Sequence, residues 1–157
     1  MSVSHLLERR VECPDPASTA ALGRTLAAAA CPGDLICLWG DLGAGKTHLA
    51  KAIGAGLGVT DTIISPSYIL MAEYAGRLPL FHVDLYRLAD AHDVVAGGLI
   101  DDRQADGVTI VEWPDRMVGV LPDDRLDVCI DGMGDGPRLI TVRAGSPSFR
   151  RYLDAIP

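Results

Sequence analysis

No asparagine occurs in the 157 residues, and lysine occurs only twice, at Lys46 and Lys51. The first absence rules out the Asn-Lys-x-Asp segment with which guanine-specific proteins normally read their base. The second matters because acidic residues outnumber basic ones 21 to 14, for a formal charge of −7. No basic run is longer than the pairs Arg9–Arg10 and Arg150–Arg151. Binding nucleic acid requires cations that replace the counterions of its phosphates, so a direct grip on tRNA or DNA is not expected. No stretch approaches the ~18 uninterrupted apolar residues of a membrane-spanning helix. The start, MSVSHLLERRVECPDP, carries charges where a secretion signal has its apolar core, which points to a cytoplasmic protein. The four cysteines (Cys13, Cys31, Cys37, Cys129) form no CxxC pair and have no histidine neighbour. They read as free thiols in a reducing compartment rather than as metal ligands.

What remains is one domain's worth of chain, residues 1–157, large enough for a single three-layer core. An alanine-rich helix is expected over Ala17–Ala30, after Pro14 and Pro16, with Ser18 and Thr19 as candidate caps. Asp34–Trp39 is apolar on both faces, the pattern of a buried strand in a parallel sheet. Gly40–Gly45 then turns the chain into a helix over Lys46–Gly56. Further strands are expected at Leu78–Asp84, Val108–Trp113 and Arg125–Asp131, with Leu139–Arg143 closing a hairpin on the last across Gly132–Pro137. Ala89–Ile100 and Pro147–Ala155 read as helices. The alternation predicts a P-loop NTPase-like three-layer α/β sandwich, with a mostly parallel central sheet and an antiparallel hairpin near the C-terminus.

The segment GDLGAGKT, Gly40, Asp41, Leu42, Gly43, Ala44, Gly45, Lys46 and Thr47, matches G-x-x-x-x-G-K-[ST] in full. Glycines let the backbone curl so that successive N–H groups face phosphate oxygens, and the following helix adds the positive end of its dipole. In that pattern Lys46 reaches the β- and γ-phosphates and the Thr47 hydroxyl holds magnesium. With 17 glycines and so few lysines, composition alone would produce roughly 0.002 such matches. A second metal anchor is expected as an acidic residue ending a nearby apolar strand. Asp84 ends Leu80–Asp84, and Glu112 precedes Trp113 in TIVEW. Carboxyl ends of parallel strands converge on one crevice, so both could face the same ion. Trp113 reads as a packing residue, and His82, between Phe81 and Val83, as a buried hydrogen-bonded histidine rather than a base. Asp101, Asp102 and Arg103 read as a solvated loop. Without a guanine-reading segment, ATP is the default nucleotide. A stand-alone small-molecule kinase stays open at this point, and so does a nucleotide-gated binding module with negligible turnover.

The motifs GDLGAGKT, SPSY at Ser65–Tyr68, HVDLYR at His82–Arg87 and VEWP at Val111–Pro114 resemble, in order and spacing, the TsaE (YjeE) family. The likeness extends to TAALG at Thr19–Gly23 and LPDDR at Leu121–Arg125, and so covers almost the whole chain. It implies a Mg-dependent ATP hydrolase of the threonylcarbamoyladenosine pathway, weak alone and stimulated by the partner proteins TsaB and TsaD. TsaD transfers a threonylcarbamoyl group, made by TsaC or a relative, to adenosine 37 of ANN-decoding tRNAs. This chain would touch tRNA only indirectly, its hydrolysis resetting the TsaB–TsaD assembly. By resemblance, Lys46, Asp84 and Glu112 are catalytic; Thr47 and Glu112 hold magnesium, and Asp84 holds the metal or its water. The segment Asp15–Thr19, including Thr19, would lie near the base, and Ser67 in a switch-like loop that senses the γ-phosphate. Two positions depart from the usual pattern. Ser67 stands for threonine and keeps the hydroxyl, and His48 stands for a second threonine or serine after Thr47.

Overall fold

The computed structural model describes residues 7–63, 71–86 and 102–157. Strand β1 (Glu8–Cys13) leads to α1 (Pro16–Ala29), β2 (Leu35–Trp39) and α2 (Lys46–Gly56). Then come β3 (Met71–Tyr74), β4 (Leu80–Asp84), β5 (Val108–Glu112), β6 (Leu126–Asp131), β7 (Arg138–Ala144) and a short α3 (Arg150–Ala155). The strands form one sheet of seven, in the order β1-β7-β6-β2-β5-β4-β3. Its four central strands, β6, β2, β5 and β4, pair in parallel. The edges are antiparallel: β7 pairs with β6, β1 with β7, and β3 with β4.

The central strands are apolar on both faces because both faces are covered. Ile36 and Leu38 of β2 point toward α1, α2 and α3, in one core with Leu26, Leu49, Ile53 and Tyr152. Leu35 and Cys37 alternate to the other face, against Val83, Val111 and Met117. Met117 belongs to a 3-10 segment, Pro114–Val120. The helix expected over Ala89–Ile100 lies outside the described residues.

Several boundaries differ from the sequence reading. Helix α1 begins at Pro16, capped by Asp15 rather than Ser18 or Thr19. Proline suits the first helical position because its missing N–H would have no partner there. The Asp15 carboxylate accepts from the Ser18 N–H at 2.8 Å, and the Ser18 hydroxyl returns a contact to the Asp15 N–H. That hydrogen bond, and then the Ser18 hydroxyl, hold the Asp15 carboxyl below its usual range. The loop expected at Asp101–Arg103 is, in its described part, the start of a 3-10 turn over Asp102–Asp106. The helix expected at Pro147–Ala155 is a 3-10 turn, Pro147–Phe149, running into α3.

Two strands were not anticipated, β1 and β3. Both are edge strands. An edge strand needs one hydrogen-bonding neighbour and no continuous apolar run. β1, with the sequence ERRVEC, buries only Cys13 fully.

Candidate nucleotide-binding site

β2 delivers the chain to the carboxyl end of the sheet, and residues 40–45 reverse it into α2. Gly40 must be glycine, because a Cβ there would lie 2.9 Å from the Ile130 carbonyl oxygen on β6. Gly45 caps α2 in the left-handed region, φ 108°, with no side-chain capping bond. A Cβ on Gly45 would meet nothing within 4 Å. The turn is thus held by backbone conformation around open space, and the N–H groups opening α2 are left for a ligand.

Lys46 folds back over this turn. Its ammonium donates to the Gly40 and Asp41 carbonyl oxygens and sits 3.6 Å from the centroid of the Trp113 ring. Burial pushes its pKa down, opposed by Glu112, Asp115, Asp41 and Asp84. A desolvated ammonium whose hydrogen-bond partners are carbonyls gains from an incoming phosphate.

Across the cavity, the Thr47 hydroxyl donates to Glu112, 2.8 Å from Oε1 and 3.1 Å from Oε2. Glu112 is buried at the end of β5, paired in register with Asp84 at the end of β4. Asp84 Oδ1 accepts from the Tyr86 N–H at 3.0 Å. Lys46, Thr47, Asp84 and Glu112 line one cavity of about 340 Å³, with Leu42, Gly43, Gly45, Tyr86 and Trp113. The catalytic and metal-binding residues expected from sequence are therefore brought together, far apart though they are along the chain. Thr47, Asp84 and Glu112 offer only oxygen, the donor hard divalent cations prefer. Among the described residues no three His, Cys, Asp or Glu side chains form a metal-binding group. A magnesium ion here would rely on phosphate oxygens and water for its remaining ligands, as magnesium commonly does.

A second cavity of about 310 Å³ adjoins the loop on its other side. Asp15, Pro16 and Thr19 from α1 line it with Ala44, Gly45, His48, Gly134, Asp135, Gly136 and Arg138. Its size and its continuity with the phosphate loop suit the base and sugar of a nucleotide. His48 Nε2 lies 3.1 Å from the Pro16 carbonyl oxygen and so joins the start of α1 to α2. Ser67 lies outside the described residues, as do Ser65, Tyr68 and Arg87.

Three contributors to the site were read from sequence only as packing or buried residues, or not at all. Trp113 has the positive φ of 60°, and its ring covers Lys46 and packs 5.0 Å from Tyr86. It does pack, but against the Lys46 ammonium. His82 is buried as expected, with Nε2 2.5 Å from Glu112 Oε2. Arg138 donates from Nε to the Ala44 carbonyl at 2.7 Å, and from its other nitrogens to Gly136 at 2.6 Å and Gly134 at 2.8 Å. It ties the phosphate loop to the β6–β7 hairpin. Trp113, beside a strand-ending carboxylate, and His82, within an apolar strand, carried a local signal; Arg138 carried none.

A glycine turn between a buried parallel strand and a helix, with lysine, hydroxyl and carboxylate around one cavity, defines a phosphate-loop α/β protein. The family model described as "Threonylcarbamoyl adenosine biosynthesis protein TsaE" matches residues 13–140. The chain belongs to the TsaE family. A relative from Bacillus subtilis (strain 168), named tRNA threonylcarbamoyladenosine biosynthesis protein TsaE, is 41% identical over 131 residues, covering 83% of this chain and 82% of that protein. One of the same name from Treponema pallidum (strain Nichols) is 39% identical, over 70% of this chain and 82% of its own. The crystal structure of Bacillus subtilis YdiB superposes with a TM-score of 0.77 at 33% identity, covering 94% of this chain and 92% of that one.

Proposed function

We propose that this chain is a magnesium-dependent ATPase that serves threonylcarbamoyladenosine formation on tRNA by acting on the partner proteins TsaB and TsaD. The observation that supports it most is the convergence of Lys46, Thr47, Asp84 and Glu112 on one cavity in a chain of this family. Each residue has a task suited to its chemistry. The ammonium of Lys46 neutralises charge on the β- and γ-phosphates, and the N–H groups at the start of α2 hold their oxygens. Thr47 and Glu112 would hold magnesium, with Asp84 on the metal or its coordinated water. Bound magnesium would draw charge from the phosphate oxygens. Trp113 and Tyr86 wall the site beside Lys46.

ATP is the nucleotide, because the chain lacks the asparagine of the usual guanine-reading segment. The net charge of −7 makes tRNA an indirect target, reached through partners. No described helix is long and apolar enough to cross a membrane, and the chain is read as cytoplasmic. The test is phosphate release from ATP by the chain alone and with TsaB and TsaD. Slow release that the partners accelerate is expected, together with loss of threonylcarbamoyladenosine from cellular tRNA when the protein is depleted. Phosphorylation of a small metabolite, or unchanged tRNA after depletion, would refute the reading.

A further inference from the structure

We infer that His82 is a positioning residue for Glu112, fixing the carboxylate that faces Thr47 and thereby setting how strongly nucleotide binding depends on magnesium. The inference rests on the magnesium–nucleotide reading given above. Residues two apart on a strand share a face, so His82 projects from β4 on the same side as Asp84. The register pairs Asp84 with Glu112 and His82 with Ile110. The imidazole therefore reaches diagonally forward to the end of β5, where Nε2 meets Glu112 Oε2 at 2.5 Å. Glu112 is thus held from two elements, by Thr47 at the head of α2 and by His82 on β4. Facing a carboxylate, which only accepts, Nε2 is the donor of this bond.

His82 is fully buried, and its Nδ1 is the one buried side-chain nitrogen or oxygen with no hydrogen-bond partner among the described residues. An orphaned polar atom at a dry site is a standing cost. A residue needed only to fill space between β4 and the core would avoid that cost as leucine. The one satisfied edge of the imidazole points at Glu112. Groups that orient a metal-holding side chain in this way commonly affect metal affinity ~10–100-fold.

The test titrates ADP into the purified chain by calorimetry, once in EDTA and once in saturating magnesium, with thermal unfolding recorded in parallel. His82→Leu is expected to lose the metal-dependent part of ADP affinity by ~10-fold or more while its affinity in EDTA stays that of the parent. His82→Gln, whose amide N–H can stand where Nε2 does, should recover most of the magnesium effect. His82→Asn, equally polar but too short to reach Glu112, should not, and this pair decides the matter even where the leucine variant fails to fold. Parent-like magnesium dependence in His82→Asn or His82→Leu would overturn the inference, as would equal losses with and without magnesium. A parent whose ADP affinity ignores magnesium would instead overturn the magnesium reading of the site itself.

Discussion

Arg138 offers the sharpest test of how the phosphate loop is held. It is half-buried at the start of β7, and its guanidinium bonds carbonyl oxygens on two separate segments. The bond from Nε to Ala44 at 2.7 Å is the main tie to the phosphate loop, since the bond to Gly43 is long at 3.4 Å. Those to Gly134 and Gly136 brace the hairpin. A hydrogen bond from a charged donor is worth about 1.5–3 kcal/mol, less where water competes. Half-burial and one strong tie put the loss on Arg138→Ala at about 1–2 kcal/mol of loop stability. At ~1.4 kcal/mol per factor of ten, that is roughly 5–30-fold more frequent opening of the loop. Hydrogen exchange on the nucleotide-free protein reads this directly. The Ala44 amide, which donates to the Asp41 carbonyl inside the loop, should exchange faster by that factor, while those in the middle of α2 stay unchanged. Arg138→Lys keeps the charge but cannot bond both segments through a planar fork, so it should resemble alanine more than arginine. Parent-like exchange in both variants would refute the idea that this side chain braces the loop.

Lys46→Ala should abolish tight ATP binding, since the loop loses its ammonium; unchanged affinity in a nucleotide titration would remove the phosphate-loop assignment. Thr47→Ala and Glu112→Ala should each lower hydrolysis by ~10²–10³ in the presence of TsaB and TsaD, and shift its magnesium dependence. If Glu112→Ala turned over ATP like the parent, its role would be wrong. ATP should outcompete GTP for a fluorescent nucleotide analogue, and a clear preference for GTP would contradict the base assignment. Cys31 is exposed, whereas Cys37 is buried and burial pushes its thiol up to about 12. Alkylation at mildly alkaline pH should therefore modify Cys31 and spare Cys37 until unfolding, as read by peptide mass spectrometry, and equal labelling would contradict the packing of β2.

The sequence by itself determined the phosphate loop and the class of fold. GDLGAGKT needs Gly43 and Gly45 for their positive φ, a backbone reason that acts within the loop, and the short apolar run before it has the pattern of a strand covered on both sides. Helix α2 was legible at both ends, Lys46 and Gly56, from a glycine start and a glycine end. Asp84 and Glu112 were legible as strand-end acids, and the β6–β7 hairpin from its glycine-rich turn. β1 and β3 were not, because an edge strand leaves little periodic apolar signal in its own residues. Tertiary structure alone decided which groups meet. His82 reaches Glu112 because β4 and β5 are neighbours in a particular register, which places 30 residues of separation within 2.5 Å. Arg138 reaches Ala44 across 94 positions, since the hairpin folds back beside the phosphate loop. The ring of Trp113 lies over Lys46 where the chain leaves β5 with a positive φ. Local residue patterns encode turns, caps and buried faces through short-range sterics and burial. Contacts between elements depend on strand order, which arises only when the whole core packs.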